Sequence, residues 1–207
     1  MKNFTVPMAI VDFIPVILFS AAAIMLQREF YSKMSKGAFA LFSVGTIDII
    51  CAGVAKALYK LLYAAGICDF KPLNDMFFPV QSLGFLLSGI GILAMLLHRQ
   101  EKNAAFSVAP PIFTGTVLFV SFMCLGLAMM YVVLCILCAK LKKPVLIVAF
   151  VISFLCSLTM GYLSSKDFTQ CYMNWIAQGI NVLGQGLLLY GVIAMKKAGL
   201  AEMLIGR

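Results

Sequence analysis

Residues 172–194 read YMNWIAQGINVLGQGLLLYGVIA and contain no charged side chain. As an α-helix this stretch would extend for about 34 Å, enough to cross about 30 Å of hydrocarbon. Four carboxamides recur in it at intervals of four, three and four residues: Asn174, Gln178, Asn181 and Gln185. Successive helical residues turn by about 100°, so these side chains fall on one face. The stretch therefore predicts a membrane-spanning helix with one polar face.

The composition of the whole chain agrees with a membrane protein. Of its 207 residues 63% are hydrophobic and only 12% are charged, with a mean hydropathy of +1.03. A soluble domain of this size is far less apolar. We predict an all-α fold, a polytopic six-transmembrane-helix bundle in one integral membrane domain that covers residues 1–207. The predicted spans are 7–26, 38–63, 75–97, 111–139, 144–163 and 172–194.

Despite the net charge of +8, we predict no nucleic-acid partner, because the 16 Lys and Arg residues are spread through almost every loop. The predicted partner of the apolar surface is the lipid bilayer. If successive spans alternate in direction, ten basic residues fall on the side of the two termini and six on the other. The positive-inside rule then predicts that both termini are cytoplasmic, in a protein of the cell membrane.

The two halves of the chain share weak sequence echoes. Residues 78–81 read FPVQ in the third span, and residues 175–178 read WIAQ in the sixth. We take these echoes as a hint of two three-helix repeats. An odd number of spans in each repeat would invert the second copy. Inverted repeats place the substrate sites of many transporters near the membrane midplane.

Polar residues within the predicted spans are the candidates for a site. Asp48 lies in the middle of the second span, where a carboxylate costs roughly 2.5–3.5 kcal/mol on insertion scales. Asp12 lies about one turn into the first span, and Gln81 lies in the third. The predicted substrate- or ion-binding set comprises Asp48, Asn174, Gln178, Asn181, Gln185, Gln81 and Asp12. In this hypothesis the amides bind solute, while Asp48 neutralises a cationic group or carries a proton or a sodium ion.

Other interpretations of these residues remain open. Amides in a membrane can simply join neighbouring helices, including those of a partner membrane subunit. Lys56, Lys60 and the tyrosines beside them are typical of an interfacial anchor. We predict no catalytic residue, cofactor or metal site, because His98 is the single histidine and no nucleotide-binding or hydrolase motif occurs.

The sequence thus predicts a transporter, or the membrane-embedded substrate-binding subunit of a transporter, for a small polar or cationic solute bound near the midplane. One alternative is a membrane enzyme that acts on a lipid, with Asp48 or Asp12 as its acid or base. Another is a non-catalytic membrane sensor or assembly factor, whose polar face binds a partner helix.

Overall fold

The computed structural model describes residues 5–97, 116–164 and 171–203. This part of the chain forms eight helices. They are α1 Val6–Val11, α2 Phe13–Phe30, α3 Lys36–Ala64, α4 Pro72–Asp75, α5 Phe77–Leu97, α6 Thr116–Lys140, α7 Pro144–Ser164 and α8 Cys171–Lys197.

Six helical segments of the described part are long and apolar enough to cross a membrane, as predicted. Helices α1 and α2 together form the first segment, Val6–Phe30, and α4 and α5 form the third, Pro72–Leu97. The predicted fourth span begins at Pro111, which lies outside the described residues; its helix is described from Thr116. The six apolar helices indicate an integral membrane protein.

Proline explains why the first and third segments are each divided in two. The helix is interrupted at Asp12 and again at Met76, in each case three residues before a proline, Pro15 or Pro79. Proline has no N–H to bond the carbonyl four residues earlier, and its ring crowds that carbonyl. The chain therefore breaks at the same distance before each proline.

The six segments form a closed ring in the order α2, α3, α5, α6, α7 and α8, with α8 packed against α2. Glycines allow two of these contacts to be very close. A Cβ atom added to Gly45 would lie 2.5 Å from the carbonyl oxygen of Gly84, and one added to Gly89 would lie 2.7 Å from that of Gly126. Backbones can approach this closely only where side chains are missing.

Side-chain contacts fix the directions of the helices. Near the ends of α2 and α8, Lys196 Nζ lies 3.4 Å from Glu29 Oε1, so these two helices run in the same direction. Near the starts of α5 and α6, the Phe78 and Phe119 ring centroids are 6.4 Å apart, so these two helices are also parallel. Helix α3 runs opposite to α2, because Val16 and Gln27 contact Gly53 and Thr46, in reverse order along the chain. Helix α7 runs opposite to α6, because Met123, near the start of α6, lies against Gly161, near the end of α7.

This packing departs from an assumption on which the predicted topology rests. The prediction that both termini lie on one side assumed that successive spans alternate in direction. Helices α5 and α6 do not alternate, and residues 98–115 between them lie outside the described residues. The start of α2 and the end of α8 consequently lie at opposite ends of the ring. We call them the open end, where α2, α5, α6 and α8 start, and the closed end, where these helices finish.

The packing also differs from the predicted inversion of the second half. Helices α2, α3 and α5 run in the same alternating directions as α6, α7 and α8. A relation between the halves would therefore be a rotation about an axis along the helices. Residues 78–81 and 175–178 accordingly lie at the same end of the ring.

The hydrophobic core fills the closed end. Each of the six apolar segments contributes fully or almost fully buried side chains there, among them Phe30, Phe42, Ile92, Leu134, Leu137, Phe150, Val192 and Met195. Lys33, in the turn between α2 and α3, donates hydrogen bonds of 2.7 Å to the carbonyl oxygens of Ala201 and Met203. These bonds attach the residues that follow α8 to the turn that follows α2, next to the contact between these two helices.

Candidate functional site

A cavity of about 150 Å³ lies in the open half of the ring, and all six apolar segments line it. Its apolar wall includes Phe19, Phe85, Met123 and Leu127. Its polar and charged lining consists of Asp12, Lys56, Lys60, Gln81, Ser157, Gln178, Asn181 and Gln185. Five of the seven predicted site residues therefore line one cavity.

Helix α8 supplies three of the four predicted amides. Gln178, Asn181 and Gln185 line the cavity, as their spacing of three and four residues allows. Gln178 is only 6% exposed, and its carbonyl oxygen has no hydrogen-bond partner among the described residues. The side-chain carbonyl oxygen of Gln185 is likewise buried without a hydrogen-bond partner among the described residues. Asn174, one turn nearer the helix start, is half-buried and does not line the cavity.

Asp12 enters the cavity from the break between α1 and α2. Its Oδ2 atom lies 2.5 Å from Lys60 Nζ, and the two side chains are 7% and 15% exposed. The partner charge offsets the cost of burying the carboxylate. The ion pair thus joins the interrupted first segment to the last turns of α3.

Lys56 lies one turn before Lys60 on the same face of α3. Its Nζ atom lies 3.8 Å from the centroid of the Phe77 ring, a cation–π distance, and Phe77 lines the cavity as well. Both lysines follow Ile49 and Gly53 along the cavity face. The sequence pattern indicated an interfacial anchor for these lysines, because apolar residues on both sides of α3 conceal which face turns inward.

Asp48 is not brought together with these groups. It lies about 100° around α3 from Ile49, which faces the cavity. Its side chain is half-buried, and the residues one turn away on its outer side, Val44 and Cys51, are exposed. The predicted convergence of Asp48 with the α8 amides is therefore absent from this arrangement.

On α5, Gln81 lines the cavity from a wall different from that of α8. Ser88, on the same stripe of α5, is fully buried and donates a 2.6 Å hydrogen bond to the carbonyl oxygen of Gly84. This bond satisfies the hydroxyl within its own helix, next to the glycine contact with α3. Gln81 is thus the polar contribution of α5 to the site.

The chemistry available in the cavity is hydrogen bonding, ion pairing and proton transfer. Amides donate and accept, while the Asp12–Lys60 pair could exchange a proton with a bound group. No group of three or more metal-ligating side chains occurs within residues 5–97, 116–164 and 171–203, and His98 falls outside those ranges. Comparisons with protein-family models, with curated protein sequences and with solved structures found no match to this chain.

Proposed function

We propose that this protein binds a small polar solute in the cavity and takes part in its movement across the membrane. It acts either as a transporter or as the membrane-embedded substrate-binding subunit of one. The observation that carries the proposal is the carbonyl oxygen of Gln178, buried in the cavity without a hydrogen-bond partner among the described residues. Leaving such an acceptor unsatisfied costs about 1–3 kcal/mol, which a bound donor would recover.

The size and the surroundings of the cavity support a ligand of modest dimensions. About 150 Å³ accommodates several water molecules or one small organic molecule. Donors and acceptors from α5, α7 and α8 surround this space, so a polar solute could replace its hydration shell with protein groups. Helix adhesion alone does not account for amide oxygens that bond to no neighbouring helix within the described part of the chain.

In this proposal the open end faces away from the cytoplasm. Of the basic residues that the structure describes, three lie at the open end: Lys56, Lys60 and Lys71. Eight lie at the closed end: Arg28, Lys33, Lys36, Lys140, Lys142, Lys143, Lys196 and Lys197. The positive-inside rule then assigns the closed end to the cytoplasm. Solute would enter the cavity from the outer side, and the breaks before Pro15 and Pro79 would permit movement of its walls.

The test is ligand binding by purified protein in nanodiscs. Thermal unfolding in the presence of amino acids, sugars, nucleosides and vitamins should reveal a stabilising solute, whose affinity is then measured by calorimetry. Gln178→Leu should weaken that binding by about tenfold or more, because it removes a buried hydrogen bond. The matched control is Asn174→Leu, an amide of the same helix outside the cavity. Equal binding by both variants and the wild type would refute the site.

The Asp12–Lys60 pair favours one second candidate, a membrane enzyme that acts on a lipid. The pair could serve as acid and base, and the apolar wall with Phe19, Phe85 and Leu127 could accept part of an acyl chain. Mass spectrometry of lipids incubated with the protein separates the two functions. Conversion of a lipid that Lys60→Met abolishes selects the enzyme. Counterflow of unmodified solute in proteoliposomes selects the transporter.

A further inference from the structure

We infer that a groove between α6 and α7 binds an anionic phospholipid, with an acyl chain in the groove and the phosphate at the lysines of the turn that joins these helices. The groove shares no lining residue with the polar cavity, and the inference does not depend on the proposed solute-binding function. Three observations carry it: the apolar lining of the groove, the lysines at one end of it, and the backbone conformation of Lys142.

The groove has a volume of about 400 Å³ and runs along α6 and α7. Small side chains on one face of α6 leave room for it: Ala128, Cys135 and Ala139, at spacings of seven and four residues. The groove opens outward, since three of its lining side chains are exposed and apolar: Val132, Ile136 and Val151. In a membrane protein an outward-facing surface of this kind lies against hydrocarbon.

The lining offers little to a polar ligand. Among the described side chains along the groove, Tyr131 carries the only hydroxyl, which lies 2.7 Å from the Ser153 hydroxyl in a buried hydrogen bond. The thiol of Cys135 is a weak donor, and the other lining residues are Ala, Val, Ile and Phe. A polar solute would lose its hydration here without compensation, whereas an acyl chain gains dispersion contacts. The groove therefore suits a hydrocarbon chain.

Positive charges lie at one end of the groove. Ala139, the last residue of α6 that lines it, is followed directly by residues 140–143, which read KLKK. The three lysine side chains are exposed, and α6 ends at Lys140. A lipid chain that occupied the groove would bring its headgroup to this turn. Lysines at a membrane surface attract anionic lipids, so the turn complements a phosphate on a lipid held by the groove.

The backbone of Lys142 adds an independent observation. Its φ is 54°, and it is the one residue other than glycine with a positive φ in the part of the chain that the structure describes. The N–H groups of Lys142 and Lys143 donate 3.0 Å hydrogen bonds to the carbonyl oxygens of Ala139 and Cys138. In this type of helix cap the left-handed residue is usually glycine, which avoids the strain. Contact with a phosphate would give the lysine a use that glycine cannot supply.

Native mass spectrometry of the full-length protein in detergent tests the inference. The protein is incubated with equal amounts of dioleoyl phosphatidylglycerol and dioleoyl phosphatidylcholine. We expect one phosphatidylglycerol to be retained in preference to phosphatidylcholine by at least about tenfold, since each lysine at the turn favours the anionic headgroup. Excess glycerol phosphate, which carries the headgroup chemistry without acyl chains, should not displace the lipid.

Charge variants then test the turn. Lys140→Gln combined with Lys143→Gln should lower the affinity for phosphatidylglycerol by at least about tenfold. The matched control combines Arg28→Gln with Lys36→Gln, which removes two exposed charges from α2 and α3 at the same end of the ring and should leave the preference unchanged. Lys142→Gly should weaken phosphatidylglycerol binding, while the unfolding temperature in phosphatidylcholine stays the same or rises because glycine relieves the strain.

A groove-filling variant tests where the acyl chain lies. Cys135→Phe places a ring in the groove and should reduce retention of phosphatidylglycerol by at least about tenfold. Val148→Phe adds a ring at an exposed position of α7 that does not line the groove, and should bind the lipid as the wild type does. Size-exclusion chromatography checks that both variants are folded. The charge variants test the site separately if Cys135→Phe does not fold.

Four results would overturn the inference. The first is equal retention of the two lipids by the wild type, and the second is displacement of phosphatidylglycerol by glycerol phosphate. The third is a preference that the Lys140 and Lys143 substitutions leave unchanged. The fourth is undiminished binding by folded Cys135→Phe, which would place the lipid elsewhere. None of these results bears on solute binding in the polar cavity, which Gln178→Leu tests separately.

Discussion

The two ends of the ring are built from the same six apolar segments but have opposite chemistry. On α8, one face carries Gln178, Asn181 and Gln185 toward the cavity, and the same face then continues at spacings of three and four with buried apolar residues, Leu188, Val192 and Met195. On α3, Lys60 and Lys56 give way along one face to Phe42. A change of residue type halfway along a helix face thus separates a pocket from a packed core.

The comparison indicates that the closed end stabilises the ring, while the proposed binding site occupies the open end. Filling an interior with interdigitated apolar side chains leaves few voids and holds helices together. Amide and charged groups that line a cavity contribute less to cohesion and retain hydrogen-bonding capacity for a ligand. Substitutions at the closed end should therefore affect folding first, and substitutions at the open end should affect binding first.

The largest expected effect is at Gly91, in the closed half. A Cβ atom there would lie 2.6 Å from the backbone nitrogen of Phe42 and 2.7 Å from the carbonyl oxygen of Ala38. The backbone cannot move aside as a side chain can. Gly91→Val should therefore lower the free energy of unfolding by more than is typical of overpacking, which is about 1–3 kcal/mol, and little folded protein should be recovered. Size-exclusion yield in detergent measures this.

Gly186→Val is the matched control for that experiment, since nothing lies within 4 Å of a Cβ at Gly186. This variant should elute as the wild type does. Recovery of well-folded Gly91→Val in equal yield would show that α3 and α5 do not pack as described.

At the open end, removal of one member of the Asp12–Lys60 pair should have the next largest effect. Lys60→Met leaves a carboxylate that is 7% exposed next to an apolar side chain, and we expect a loss of up to about 3 kcal/mol in the free energy of unfolding. The double variant Asp12→Leu with Lys60→Met should be more stable than Lys60→Met alone. Denaturant titration in detergent compares them, and equal losses would argue against a buried pair.

A smaller effect is expected from titration of Lys33 at the closed end. Burial lowers the pKa of this amine from its ordinary 10.5, and the nearby Glu29 opposes the shift. Since the unfolded chain binds more protons between the lowered pKa and 10.5, the free energy of unfolding should rise with pH across that window, by at most about 1.4 kcal/mol per pH unit.

Lys33→Met should abolish this rise, whereas Lys71→Met, at an exposed lysine, should keep it. The comparison is made between unfolding curves of the three proteins at several alkaline pH values, because tyrosines and cysteines titrate in all of them. An unchanged slope in Lys33→Met would mean that this amine is as accessible in the folded protein as in the unfolded chain.

The smallest expected effect is that of Asp48→Asn on ligand binding. Asp48 does not line the cavity, so the affinity for the stabilising solute should stay within about twofold, or about 0.4 kcal/mol, of the wild type. Calorimetry with this variant decides between the sequence-based site, which included Asp48, and the cavity. Loss of binding would return Asp48 to the site.

The sequence pattern predicted the helices and the amide face well, because both follow from local spacing along one chain. The six apolar helices and the side of α8 that carries Gln178 needed no tertiary information. The inward face of α3 could not be predicted in this way, since Ile49 and Ile47 are equally apolar while only Ile49 turns toward the cavity. The shared direction of α5 and α6 was also out of reach, because counting charges between spans presupposes that they alternate.

The contact between α2 and α8 has a consequence for how the protein is made. Helix α2 leaves the ribosome well before its neighbour α8, so the ring stays incomplete until α8 has been made. Until then Glu29 and Lys33 lack the partners that they have in the finished protein, Lys196 and the carbonyl oxygens of Ala201 and Met203. The newly made chain must keep its future interior from lipid or from other chains throughout this interval. A chain that stops before residue 171 would never close the ring.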